Sequence, residues 1–194
     1  MTIEEKTKLV HWNYFLAFDS DAEKLSRYIE FTKENEKTYS IELVRLLLSA
    51  ASEVDVVAKL LCNKVSPSEN AGDMEDYRRI LNTTFPKIKN MKIQIPRYGL
   101  DLTPWEKWNQ KNRTPIWWKD YNSVKHQRDM NFYKANLKNT LNSIAGLFCL
   151  VLYYYKDEAE NGNLKPYPNL FSVSSEFRGG YDMDESGFIM DYKL

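Results

Sequence analysis

Residues 132–160, FYKANLKNTLNSIAGLFCLVLYYYKDEAE, decide the fold. Leu137, Leu141, Ile144, Ala145, Phe148, Val151, Leu152 and Tyr155 recur at helical spacing, and the segment becomes apolar nearly all round. A helix with no polar face belongs in the middle of a protein. With Asn131 as its cap, the predicted helix runs from Phe132 to about Glu160. Its longest apolar run, Ile144 to Tyr155, is 12 residues, against the roughly 20 that a bilayer span needs. The prediction is a central buried helix and no membrane anchor.

Such a helix needs apolar partners, and the chain supplies them. Ser40 caps a second long helix, with Glu42 in its first turn, and Leu43, Leu47, Ala50, Val54, Val57 and Leu61 form its stripe. Thr2 to Phe31 reads as one or two helices, with a cap at Asp19-Ser20-Asp21 before Ala22, Leu25, Tyr28 and Ile29. Asp73 to about Thr84 is a short helix. Thr103-Pro104-Trp105-Glu106 has the form of a helix start, and Pro115 or Ile116 opens a further helix reaching about Asp129. Met91 to Ile95 alternates as a short strand does. Tyr181 to Leu194 resembles a hairpin turning at Asp184-Glu185-Ser186-Gly187. The predicted class is all-α: an antiparallel helical bundle over residues 1–160, with an extended or β-hairpin tail at 161–194 packed on it.

Composition agrees with one globular domain. The chain has 194 residues, 43% hydrophobic and 28% charged, with only seven Gly and seven Pro. Cys62 and Cys149 both fall in apolar helical segments, which favours buried reduced thiols over a disulfide. The charged start, Met-Thr-Ile-Glu-Glu-Lys, has no apolar signal core behind it, so a cytoplasmic location is expected. Phosphate loops, dinucleotide glycine fingerprints, zinc spacings and nucleophile elbows are missing, and no cofactor or metal is implied.

Net charge is zero but unevenly spread. Residues 86–138 carry 12 Lys/Arg and 4 Asp/Glu, a balance of +8, between two flanks of −4 each. Such a band either faces an anionic ligand or pairs with the acidic flanks.

The band contains Trp117-Trp118-Lys119-Asp120-Tyr121-Asn122-Ser123-Val124-Lys125-His126-Gln127-Arg128. On a helix, Asn122 and His126 share a face and Lys125 flanks it. An imidazole beside an amide and an ammonium suits binding a phosphate and moving a proton. The competing interpretation is a histidine that buttresses helix packing. Trp105, Trp108, Trp117 and Trp118, set among lysines and arginines, either stack on unpaired bases or anchor the core. Glu53, Asp55 and Lys59 interrupt the apolar second helix. They either orient His126 or Lys125 across the bundle, or Asp55 and Lys59 sit on a solvated flank while Glu53, on the side of Ser49 and Arg45, makes an interhelical contact.

These pieces together resemble HEPN proteins (higher eukaryotes and prokaryotes nucleotide-binding domains), particularly uncharacterised bacterial members. The matching pieces are Ser52-Glu53-Val54-Asp55 with Lys59, then Tyr121 to Arg128, then Ala135-Asn136-Leu137 running into Ala145-Gly146-Leu147-Phe148. The resemblance covers roughly residues 20–156. It implies an antiparallel bundle, often dimeric, with metal-independent RNase activity in toxin–antitoxin or phage-defence systems, and an antitoxin-like protein partner. It places His126 at the motif histidine and Asn122 at the polar position. Tyr121 stands where the family's arginine belongs, while Lys125 and Arg128 add cations around the histidine. Two functions follow: an RNase centred on His126, with Lys119, Tyr121, Trp117 and Trp118 binding RNA, or a non-catalytic module holding a nucleotide, RNA or protein.

Overall fold

Two helices form the spine of the molecule. The computed structural model describes residues 8–184 and 187–194. The first spine helix, α2, spans Ile41–Val65 after α1 (Val10–Leu25). Ser40 caps it by accepting the Leu43 N–H at 3.2 Å, and the whole predicted stripe from Leu43 to Leu61 is buried. The second, α6, spans Leu137–Tyr154, and every residue from Ser143 to Tyr153 is buried. It begins five residues later than predicted. Asn136 takes extended backbone and its side chain accepts from the Asn139 N–H, so Phe132–Lys134 forms a separate short turn.

The spine helices run parallel, which corrects the fully antiparallel expectation. Thr140 Oγ1 donates to the Leu43 carbonyl near their starts, and Lys64 Nζ to the Tyr154 carbonyl at their ends. Backbone bonds from Leu137 N–H to Thr38 O and Lys138 N–H to Glu36 O clamp the two starts together. A long connection makes this geometry accessible, because the chain builds α3 (Met74–Thr84), a sheet and α4 (Ile116–His126) before returning.

α1 and α4 pack antiparallel to the spine. His11 faces Glu53 while Asp21 faces Arg45, and Trp117 faces Gly146 while Asp120 faces Asn139. The expected cap at Asp19-Ser20-Asp21 lies inside α1, which runs through it unbroken, and Tyr28 lies beyond the helix and exposed. Asp19 is instead 2% exposed and accepts backbone N–H groups from Asn169, Leu170 and Phe171. One buried carboxylate thereby fastens the C-terminal segment to α1.

The chain is mostly helical but carries β structure beyond the tail, so all-α is too narrow. The predicted strand is β1 (Ile93–Ile95), the centre of an antiparallel sheet with β2 (Leu100–Leu102) and β3 (Ser172–Val173). A hairpin of β4 (Arg178–Asp184) and β5 (Gly187–Tyr192) closes the chain. Its expected turn residues Glu185 and Ser186 lie outside the described residues. The tail shares the bundle's core through Leu164, Leu170, Phe171, Val173, Phe177 and Tyr192.

Thr103 to Glu106 starts no α-helix; a single 3-10 turn, Glu106–Asn109, follows. Two tryptophans explain the difference. Trp105 Nε1 donates to the Gly146 carbonyl and Asn82 Nδ2 to the Trp108 carbonyl, so tertiary bonds hold this backbone. Cys62 and Cys149 are free and buried. Burial pushes the Cys62 thiol up to about 12 and raises Cys149 as well, leaving neither with nucleophilic thiolate near neutrality. Among the described residues no helix is long and apolar enough to cross a membrane.

Candidate phosphate-facing site on the fourth helix

The site begins with what anchors α4. Trp117 is 3% exposed, donates its indole N–H to the Pro104 carbonyl at 3.0 Å, and meets the Trp105 ring edge-on. Both indoles rest on Gly146 of α6, where an added Cβ would come within 3.1 Å of Trp117 and 3.2 Å of Trp105. One turn on, Tyr121 is 5% exposed and Val124 fully buried. Positions 117, 121 and 124 thus form the core stripe of α4.

A polar clamp fixes the helix's rotation. Asn139 Nδ2 donates to Asp120 at 2.8 Å, and Lys134 Nζ donates to Ser123 Oγ at 3.1 Å and lies 3.8 Å from Asp120. Opposite the core stripe, helical spacing stacks Lys119, Asn122 and His126 on one outward face. Lys119, Lys125, His126 and Arg128 are all exposed, and Asn122 is half-buried. His126 is the last residue of α4; the chain breaks at Gln127 and resumes as α5 (Arg128–Asn131). No described residue hydrogen-bonds or ion-pairs with its ring. Lys125 reaches back over the Tyr121 ring, its Nζ 5.6 Å from the centroid.

The charge of the band is turned outward. Among the described residues its ion pairs are Lys92–Asp101, Lys134–Asp120 and Lys138–Glu36, and the last alone crosses to an acidic flank. Intramolecular pairing therefore leaves Lys119, Lys125 and Arg128 free to meet an anion. A cleft of about 290 Å³ lies at the other end of α4, between Thr103, Ile116 and Asn142, and His126 does not line it.

Several expected members sit elsewhere. Burial removes the rings of Trp117 and Tyr121 from any surface on which a base stacks, and Trp118 is half-buried against both. Trp105 and Trp108 are core anchors at 0% and 1% exposure. Glu53 does not orient His126; its carboxylate accepts from His11 Nδ1 at 2.6 Å. Asp55 accepts from Tyr77 at 2.8 Å and from Lys59 at 2.7 Å, which docks α3 onto α2. His11, the other histidine, was legible only as a residue type, since 42 positions separate it from its carboxylate.

The arrangement offers a histidine ring without a partner among the described residues, an amide on the same face and three cations around them. It suits gripping a phosphodiester and moving a proton beside it. Among the described residues no cluster of His, Cys, Asp and Glu is placed to hold a metal ion. Comparison with family models, curated proteins and solved structures gave no match.

Proposed function

We propose that this chain is a HEPN-like, RNA-directed protein that grips the phosphate backbone on the outward face of α4. The observation carrying this reading is the exposed His126 ring, in line with Lys119 and Asn122 and flanked by Lys125 and Arg128, all three cations without ion-pair partners among the described residues. In the cleavage chemistry that the resemblance implies, a ribose 2′-hydroxyl attacks its own phosphorus and the 5′-oxygen of the next nucleotide leaves. His126 handles the proton of the attacking hydroxyl, and Lys125 and Arg128 stabilise the charge growing on the phosphate oxygens. A homodimer, as in many HEPN proteins, would set two such faces on either side of one solvent-filled cleft. A bacterial defence or toxin–antitoxin role follows from the same resemblance.

One observation favours a second reading, binding without cleavage. Tyr121, at the position of the family's arginine, is 5% exposed and covered by Lys125. An oriented donor at that place is worth roughly 3–4 kcal/mol of transition-state stabilisation, and a buried phenol does not replace it. Incubating the protein with single-stranded RNA in the presence of a metal chelator separates the two. Cleavage abolished by His126→Ala, with the fold retained, supports the RNase. Salt-sensitive binding without turnover, indifferent to His126→Ala, supports the binding module. Absence of any RNA binding by the wild type overturns both.

A further inference from the structure

Among the described residues most aromatic rings are buried; of the exposed ones, Tyr133 and Tyr39 are 55% and 53% exposed. Both lie at the His126 end of α4. The Lys134–Ser123 hydrogen bond holds the Phe132–Lys134 turn against the last turns of that helix. Phe132 meets Tyr39 edge-on with centroids 5.8 Å apart, and Tyr39 bridges through its backbone to Asn136. Tyr133 thus stands one residue from each of these contacts. Asn131 folds the intervening chain back by bonding the Gln127 carbonyl through both its side chain and its backbone N–H. Met130, 73% exposed, lies three residues before Tyr133, and the exposed Lys37 lies two residues before Tyr39.

We propose that Tyr133 and Tyr39 form a base-stacking platform for single-stranded RNA whose phosphates lie on Lys125 and Arg128. The proposal rests on the RNA-directed reading of α4 and adds the part that the buried tryptophans fail to supply. Aromatic faces set among cations suit an unpaired strand, because every base presents a stackable face while the backbone presents regular negative charge. A second copy of the chain is a poorer occupant. It would have to desolvate the exposed Lys125, His126 and Arg128, none of which has an ion-pair partner among the described residues. Recognition by stacking predicts little base preference but a strong requirement for bases.

The test uses the full chain and two fluorescent 12-nucleotide probes, a uridine oligonucleotide and an abasic strand of equal length, in one buffer. Wild type should bind the uridine strand roughly tenfold more tightly than the abasic one. Tyr133→Ala should erase most of that ratio while leaving abasic binding unchanged, Tyr39→Ala should reduce it, and Tyr133→Phe should preserve it. Tyr133→Leu, apolar but not aromatic, should behave as Tyr133→Ala and serves if the latter unfolds. Equal wild-type binding of both probes overturns the platform while the phosphate-binding reading stands. A uridine preference that survives Tyr133→Ala and Tyr39→Ala overturns it likewise. A change in oligomeric mass on Tyr133→Ala with the preference intact assigns the patch to a second copy instead. Binding of neither probe by wild type overturns the platform and the underlying function together.

Discussion

His11 and Glu53 join α1 to α2 through a 2.6 Å hydrogen bond, with side chains only 16% and 12% exposed. The His11 ring also meets Tyr154 edge-on, and its backbone N–H reaches the Tyr155 hydroxyl at 3.3 Å. One imidazole therefore sits where α1, α2 and the end of α6 converge. Removing it leaves a carboxylate nearly buried without its donor.

His11→Ala is expected to destabilise the fold by about 1–3 kcal/mol, the usual penalty for stranding a buried hydrogen-bonding group. Glu53→Ala should cost a comparable amount, and the double variant less than the sum. Denaturant titrations of the four proteins measure this coupling directly. A strictly additive double variant would show that the pair contributes nothing as a pair. RNA affinity should be unchanged throughout, since neither residue lies on the α4 face.

Asp19 supplies the second tether. Its carboxylate accepts from three consecutive backbone N–H groups at 169–171, so Asp19→Ala should speed amide exchange at Asn169, Leu170 and Phe171 before the helices respond. Burial raises the Asp19 carboxyl above its ordinary value, although the three amide bonds pull the other way. A raised folded value means that its contribution is complete below the ordinary carboxylate range and is lost as pH rises through that raised value. Wild type should therefore lose stability relative to Asp19→Asn over that rise. A stability difference that stays flat across acidic pH contradicts this assignment.

Gly146 lets two indoles lie on α6. Gly146→Ala improves helix propensity by roughly 1 kcal/mol yet sets a methyl 3.1 Å from Trp117 and 3.2 Å from Trp105. Overpacking of this kind costs about 1–3 kcal/mol, so net destabilisation with altered near-ultraviolet circular dichroism is expected. A stabilised variant with unchanged tryptophan signals would show that the indoles yield freely.

Local chemistry made the spine legible. Ser40 and the stripe from Leu43 to Leu61 announce α2, and the apolar mass from Ile144 onward announces α6. The alternation at Ile93 and Ile95 and that ahead of Tyr192 announce strands. Long-range pairings were not legible. Nothing near Leu100–Leu102 or Ser172–Val173 shows that both pair with β1, because partner choice is made across as many as 80 residues. The parallel course of α2 and α6 depends on clamps between Glu36–Thr38 and Leu137–Lys138, which no periodicity records. Within the site, the shared face of Asn122 and His126 followed from helical spacing. The fate of the tryptophans did not, since an indole among cations fits a surface or a core equally well until Gly146 is seen beneath it.

The central claim is that the α4 face holds phosphates, and the salt dependence of RNA binding tests it most directly. Each phosphate neutralised on a single strand contributes roughly −0.7 to the slope of log affinity against log salt. Lys125→Glu combined with Arg128→Glu should weaken binding of a uridine oligonucleotide at least tenfold and flatten that slope by about 1.4, with the melting temperature little changed. Equal affinity and equal slope for wild type and the double variant would contradict the account.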